Sequence, residues 1–257
     1  MFNLIYGLFY SKIYRMTKEV PARFADSIRP KAYAWLYRRF YGLFESHGGI
    51  NVVDAGNIPR RGKKVVTGNH DKKKDPWMMG VVNPESLFSL GKEELGSWQY
   101  LWVGKWALEP FMNAKLITRT GRDYDLLEKM AEFMMEEDAA VQSYIYGTRQ
   151  PEKKEGAMPK TGVAHLAIRS STEEHLTPVV PFGHSTAVWT PGKPIQVVVG
   201  EPIYAPANGR ELKGAALKSV RREMTFEIVE SIGSLVQRAI ELDAEGAGTP
   251  GEIRWNV

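Results

Sequence analysis

The 257-residue chain has no cysteine. That excludes disulfides, thiolate-ligated zinc and a cysteine nucleophile, and it leaves the redox compartment open. Histidine is scarce too: with five in the chain, a two-metal centre built on imidazoles is hard to assemble. No uninterrupted apolar run approaches the roughly 20 residues that a membrane-spanning helix needs. Met1–Tyr10 is apolar but lacks a basic start and a small-residue cleavage site, so it does not read as a signal peptide. There is no internal repeat and no low-complexity block.

Hydrophobic residues make up 43% of the chain, enough for a real core in one large α/β domain or two small ones. The formal net charge of +4 suits an anionic partner, whether lipid headgroups, phosphorylated substrates or nucleic acid. No nucleic-acid reader motif is present, and the basic residues are scattered among acidic ones, so no nucleic-acid partner is expected.

The chain is organised around Thr67-Gly68-Asn69-His70-Asp71-Lys72-Lys73-Lys74-Asp75-Pro76. Lys63–Val66 before it reads as a buried strand, and Pro76 after it suits the first turn of a helix. His70 therefore falls in a strand-to-helix loop, where α/β proteins place their chemistry. A neutral imidazole there can accept a proton near neutral pH, and a carboxylate five positions on can hold its tautomer. The competing reading is structural: Asp75 as an ordinary helix cap and His70 as a packed side chain.

Upstream, Phe2, Ile5, Phe9, Ile13 and Met16 recur at helical spacing, and so do Leu36, Phe40 and Phe44, with basic residues along the edges. Residues 1–45 thus read as a pair of amphipathic helices, either an interfacial membrane anchor or a hairpin packed on its own domain. Downstream, strands are expected at Ile50–Val53, Ser86–Leu90, Asn113–Thr118, Ala140–Tyr146, Pro178–Phe182 and Ile195–Val199. Helices are expected at Pro76–Val82, Ser97–Leu108, Asp123–Asp138 (with Asp123 as its cap), Thr161–Arg169 and Glu211–Leu242. Strands alternate with helices from residue 50 to 200, which argues for one α/β domain with a mainly parallel central sheet flanked by helices. The expected organisation is a helical segment over 1–45, the α/β domain over 46–242 and a loose tail over 243–257. Polar groups recur at strand ends: His70 and Asp75, Arg119, Gly147-Thr148-Arg149, then Lys160. In a sheet wound this way such ends share one edge, and cations with backbone N–H groups there would suit a phosphate.

The order of these segments resembles the glycerolipid acyltransferase family, the 1-acylglycerol-3-phosphate acyltransferase-like enzymes. That family's Asn-His-x4-Asp motif is matched by Asn69, His70 and Asp75. An apolar pair, one residue and an arginine are matched by Leu116-Ile117-Thr118-Arg119. Its Pro-Glu-Gly-Thr-Arg is matched in Gly147-Thr148-Arg149, and a following Lys-x-Gly-x3-Leu-Ala in Lys160, Gly162, Leu166 and Ala167. Pro178-Val179-Val180-Pro181 resembles its apolar strand around a proline, and Gly200-Glu201-Pro202-Ile203 a common later segment. The resemblance covers roughly residues 50–205, and the motifs gain specificity from their order. Two departures stand out. Ile145-Tyr146 replaces the proline and glutamate, and Asp71-Lys72-Lys73-Lys74 puts three ammonium groups between His70 and Asp75. Those lysines read either as a solvated loop or as a draw for phosphates or an anionic bilayer.

The resemblance implies an O-acyltransferase moving an acyl group from an acyl thioester, on coenzyme A or acyl carrier protein, to the hydroxyl of a lysophosphatidic-acid-like acceptor. It implies His70 as general base, Asp75 as its orienting carboxylate, and Arg119, Gly147, Thr148, Arg149 and Lys160 as acceptor contacts. Backbone N–H groups near Gly147 are candidate donors to the developing oxyanion. No metal or other cofactor is implied, and the expected location is peripheral, on the cytoplasmic face of a membrane. Tyr146 in the glutamate position also leaves room for a member that binds lipid without turning it over. A more distant rival is the Gly-Asn-His-Asp element of calcineurin-like metallophosphoesterases, echoed by Gly68-Asn69-His70-Asp71. Its further ligands are wanting, since Asp54-Ala55-Gly56 lacks one histidine and Gly183-His184-Ser185-Thr186 another.

Overall fold

The computed structural model describes residues 48–71, 75–83, 87–92, 114–117, 124–147, 158–185, 192–247 and 252–255. Residues 1–45, the helix expected over 97–108 and the cap at Asp123 lie outside these. Among the described residues nine strands form one sheet: β1 (Gly49–Val53), β2 (Lys64–Gly68), β3 (Leu87–Lys92), β4 (Ala114–Ile117), β5 (Ala140–Gln142), β6 (Pro178–His184), β7 (Ile195–Val199), β8 (Ile203–Tyr204) and β9 (Glu252–Trp255). Among the same described residues four α-helices accompany them: α1 (Asp75–Val82), α2 (Tyr124–Glu136), α3 (Gly162–Ser170) and α4 (Gly214–Ala244).

The strand order is β4-β3-β5-β2-β6-β7-β1-β9, with β8 paired to β6. All pairings are parallel except those of β6 with β7 and with β8. The fold is therefore an α/β domain with a mainly parallel sheet flanked by helices. Strands β2 and β6 lie at its centre. Their apolar side chains are buried on both faces, as expected for strands covered by helices on both sides. Val66, Val180 and Phe182 pack with Met78 and Met79 of α1 on one face. Val65, Val141 and Val179 pack with Met134 of α2, Leu166 of α3 and Ile228 of α4 on the other. Each such side chain contributes roughly 1.5–3 kcal/mol relative to leaving it in water.

The register decides what meets at the sheet edge. Gly68 of β2 lies beside Phe182 of β6, so the chain leaving β2 at Asn69 and His70 runs alongside Gly183 and His184. Val66 lies beside Gln142, so the segment after β5 starts at the same edge.

Two expectations are corrected. Strand β5 stops at Gln142 instead of Tyr146, because the chain turns: the Gly147 N–H donates to the Tyr144 carbonyl at 2.8 Å and Gly147 sits at φ 62°. That left-handed conformation suits glycine. The tail is not wholly loose, since β9 pairs in parallel with β1 from Gly49–Glu252 to Val52–Trp255. The backbone groups of β1 need partners on that side, and the glycines and proline before β9 hid a short alternating strand.

Helix α4 crosses β6 and β7 at very close range, and glycines permit it. A Cβ on Gly183 would run into the backbone of Leu235 and Val236, and one on Gly200 would lie 2.8 Å from Leu235 Cδ1. Gly233, on the same helix, has nothing within 4 Å of that position. Gly183→Ala is expected to cost about 1–3 kcal/mol through overpacking, whereas Gly233→Ala is expected to be neutral or to gain up to about 1 kcal/mol of helix propensity. Urea unfolding of both variants checks the contrast, and equal effects would contradict this account of the packing.

Candidate active site

His70 and Asp75 meet. Asp75 opens α1, is fully buried, and points Oδ2 back at the loop. Oδ2 lies 3.1 Å from His70 Nδ1 and accepts the Asp71 backbone N–H at 2.7 Å. The helix N-terminus adds a favourable field for the carboxylate. A buried carboxylate is costly unless such groups surround it. The pairing sets the tautomer: with Nδ1 donating to Asp75, proton acceptance falls to Nε2. The His70 side chain is 17% exposed while Asp75 is buried, so the imidazole reaches the surface at the sheet edge with its carboxylate partner beneath it.

The imidazole is also held from below. Tyr144 stacks on it, with ring centroids 4.2 Å apart and planes 16° from parallel. The Tyr144 hydroxyl accepts from Gln142 Nε2 at 2.9 Å. Asn69 ties the loop to β6: its amide nitrogen donates to Asp71 Oδ2 at 2.8 Å and to the His184 carbonyl at 3.1 Å, and its oxygen accepts the His184 N–H at 3.0 Å. Each bond contributes about 1 kcal/mol net, and leaving one unmade in this buried place costs more.

Gly147 and Lys160 also come together. The Lys160 N–H donates to the Ile145 carbonyl at 2.8 Å, and its Nζ would be 3.3 Å from a Cβ on Gly147. A Cβ at Gly147 would press on the exposed Lys160 stem, which would have to give by a few tenths of an ångström. The Gly147 N–H is spent on the turn, so it is not an oxyanion donor in this arrangement. Arg119, Thr148 and Arg149 lie outside the described residues, as do Lys72–Lys74. Beneath α4 is a cavity of about 260 Å³ lined by Asn69, Asp71, Tyr146, Ile232 and Gly233. Tyr146 thus faces α4, while Tyr144 supports His70 on the α1 face.

Sequence reasoning missed Tyr144 and His184. An uninterrupted strand over 140–146 would have put Tyr144 and Tyr146 on one face, and only the turn after Gln142 separates them. The Asn69–His184 link depends on register across 115 positions, which no local pattern carries.

The comparisons with known proteins bear on this geometry. A family model described as Acyltransferase matches residues 49–185, more than half of the chain, spanning both His70 and Lys160. The chain belongs to the acyltransferase family. The crystal structure of the 1-acyl-sn-glycerophosphate (LPA) acyltransferase PlsC from Thermotoga maritima shares this acyltransferase's fold, with a TM-score of 0.53 over 89% of each chain at 13% identity. No curated protein matches the sequence. The membership sets aside the metallophosphoesterase reading. Among the described residues no group of three or more histidines and carboxylates could hold a metal ion.

A second ionisable cluster fastens the helices of the acyltransferase behind the site. His165 of α3 is buried, with Nε2 3.2 Å from Glu128 of α2 and Nδ1 3.3 Å from Arg221 Nη1 of α4. Arg169 also reaches Glu128, at 2.9 Å. Burial pushes the His165 pKa from its ordinary 6.5 down to about 4; Glu128 opposes that, and Arg221 and Arg169 reinforce it. Between these values the unfolded chain binds a proton that the folded chain does not. Stability from this group is thus fully present above about 6.5 and is lost as pH falls toward about 4. Urea midpoints should fall less between about pH 7 and pH 5 in His165→Gln than in the unaltered protein. Equal pH sensitivity would contradict the assignment.

Proposed function

We propose that this acyltransferase moves a fatty acyl group from an acyl thioester to the hydroxyl of a lysophosphatidic-acid-like glycerophospholipid, with His70 as general base. The observation that carries the reading is the 3.1 Å pairing of His70 Nδ1 with the buried Asp75 carboxylate at the partly exposed sheet edge. His70 Nε2 takes the proton of the acceptor hydroxyl as its oxygen attacks the thioester carbonyl. The C–O bond forms, and the tetrahedral intermediate collapses with loss of the thiolate. The thiolate recovers the proton from the imidazolium and departs as free thiol. Asp75 stabilises the imidazolium in between. No covalent acyl-enzyme is needed, in keeping with a chain that has no cysteine. A placed base of this kind contributes about 10²–10⁴-fold in rate.

The acceptor class rests on further support. The exposed Lys160 ammonium beside the Gly147 turn, together with Arg119, Thr148 and Arg149 of the family motifs, would hold a phosphate. The PlsC whose fold this chain shares is described as acting on a 1-acyl-sn-glycerophosphate. The donor is a thioester of coenzyme A or acyl carrier protein. No helix among the described residues is long and apolar enough to cross a membrane. Peripheral contact with an anionic bilayer on its cytoplasmic face, through residues 1–45 and Lys72–Lys74, fits the composition of those segments.

Tyr146 favours one competing reading, that of a lipid binder without turnover. It stands where the family carries a glutamate, and its side chain packs toward α4. Thiol release from an acyl-coenzyme A in the presence of lysolipid acceptors separates the two. His70→Ala is expected to lower turnover by at least about 10²-fold with the fold intact, and Arg119→Ala to raise the acceptor KM while leaving kcat close to its original value. Retention of most of the rate in the first variant, or an unchanged acceptor KM in the second, would contradict the respective role.

A further inference from the structure

We propose that His184 is a positioning residue for the His70–Asp75 pair. The inference rests on the acyltransferase reading above and adds a residue to it. His184 ends β6 and is wholly buried. Its Nε2 lies 3.1 Å from the Asn69 carbonyl and 3.7 Å from Asp75 Oδ2, the same oxygen that His70 Nδ1 meets at 3.1 Å. Its Nδ1 lies 3.3 Å from the Ser185 carbonyl.

Nε2 faces a carbonyl and a carboxylate oxygen, both acceptors, whereas Nδ1 faces the Ser185 carbonyl alone at the longer 3.3 Å, which assigns the hydrogen of the neutral ring to Nε2. That N–H is aimed between the residue that precedes His70 in the chain and the carboxylate that orients His70. The main chain of His184 is bound to Asn69 as well, through the amide bonds at 3.0 and 3.1 Å. The result is a closed loop of contacts: the His184 ring to the Asn69 backbone, the Asn69 side chain to the His184 backbone, and Asn69 Nδ2 onward to Asp71. Three nitrogens, from Asp71, His70 and His184, converge on one carboxylate oxygen.

A merely space-filling core residue would not need this chemistry. A phenyl ring fills the same volume but leaves the Asn69 carbonyl without its N–H and the Asp75 charge less compensated. Among the described residues, the ionisable groups facing His184 are Asp75 from α1 and, through Asn69, Asp71 from the loop after β2. Across the sheet it pairs in register with Val197 of β7, which brings no charge. The direction of the effect follows. Removing the His184 N–H leaves more of the Asp75 charge to His70, so the His70 imidazolium is favoured and the base becomes harder to deprotonate at low pH. His184, which with Gly183 echoes part of a metal-binding motif in the sequence, serves this purpose instead.

The experiment compares His184→Phe and His184→Gln, the latter retaining an N–H near Nε2, using palmitoyl-coenzyme A and lysophosphatidic acid with thiol release as readout. His184→Phe should lose about tenfold or more in kcat with both KM values within about twofold. Its acid limb in kcat/KM should move upward by about half a pH unit. His184→Gln should recover to within about threefold of the original kcat. Full activity in His184→Phe with an unmoved limb would overturn the proposal, as would equal impairment of both variants with an unmoved limb. His70→Ala run alongside keeps the two ideas apart: if it stays active, the general-base reading fails whatever His184 does. Should His184→Phe not fold, ring-¹⁵N spectra of the unaltered protein decide. A proton on His184 Nε2 supports the proposal, and a bare Nε2 overturns it.

Discussion

The arrangement at the sheet edge follows from the burial of one carboxylate. Asp75 has no access to solvent, and a charge placed there must be met by N–H groups. The Asp71 amide and the His70 ring supply them at 2.7 and 3.1 Å. Both donors come from the segment that follows β2 and precedes α1 in the chain. The His70–Asp75 geometry is thus a by-product of satisfying Asp75, and an imidazole turned away would take one of these two donors from that charge.

The two faces of the sheet divide the labour around that point. On the α1 face, Tyr144 gives His70 a flat surface to lie on, which fixes the ring plane as Asp75 fixes its tautomer. On the other face, α4 presses close over Gly183 and Gly200, and the cavity beneath it is bordered by Asn69, Asp71 and Tyr146. The family's glutamate position therefore looks, in this acyltransferase, toward α4 rather than toward the imidazole. That orientation gives the departure at Tyr146 a physical meaning: the aromatic residue joins the apolar core of α2, α3 and α4. Lys160 folds over the Gly147 turn on the same chain segment, which keeps a cation near the edge despite the altered neighbour.

Much of this was legible in the residue order because it is local. The apolar run before Thr67, the proline after Asp75 and the five-residue step from His70 to Asp75 together place the pair in a strand-to-helix loop. The parallel sheet followed from strands alternating with helices. The rest is set by distance along the chain. Tyr144 was hidden because a turn at Gly147, not a strand, sets its side. His184 was hidden because its partner lies 115 residues away and is fixed by the register of β2 against β6. The strand at Glu252–Trp255 was hidden because it has meaning only against the open side of β1.

The most direct test removes the charge and keeps the shape. Asp75→Asn retains an amide oxygen that can accept N–H groups but withdraws the negative charge by which the proposed mechanism stabilises the imidazolium. The account predicts a folded protein whose kcat for acyl transfer falls by about 10²-fold or more while KM for donor and acceptor changes little. A variant that folds and turns over near the original rate would show that the His70–Asp75 pairing is a structural contact and not the basis of the chemistry.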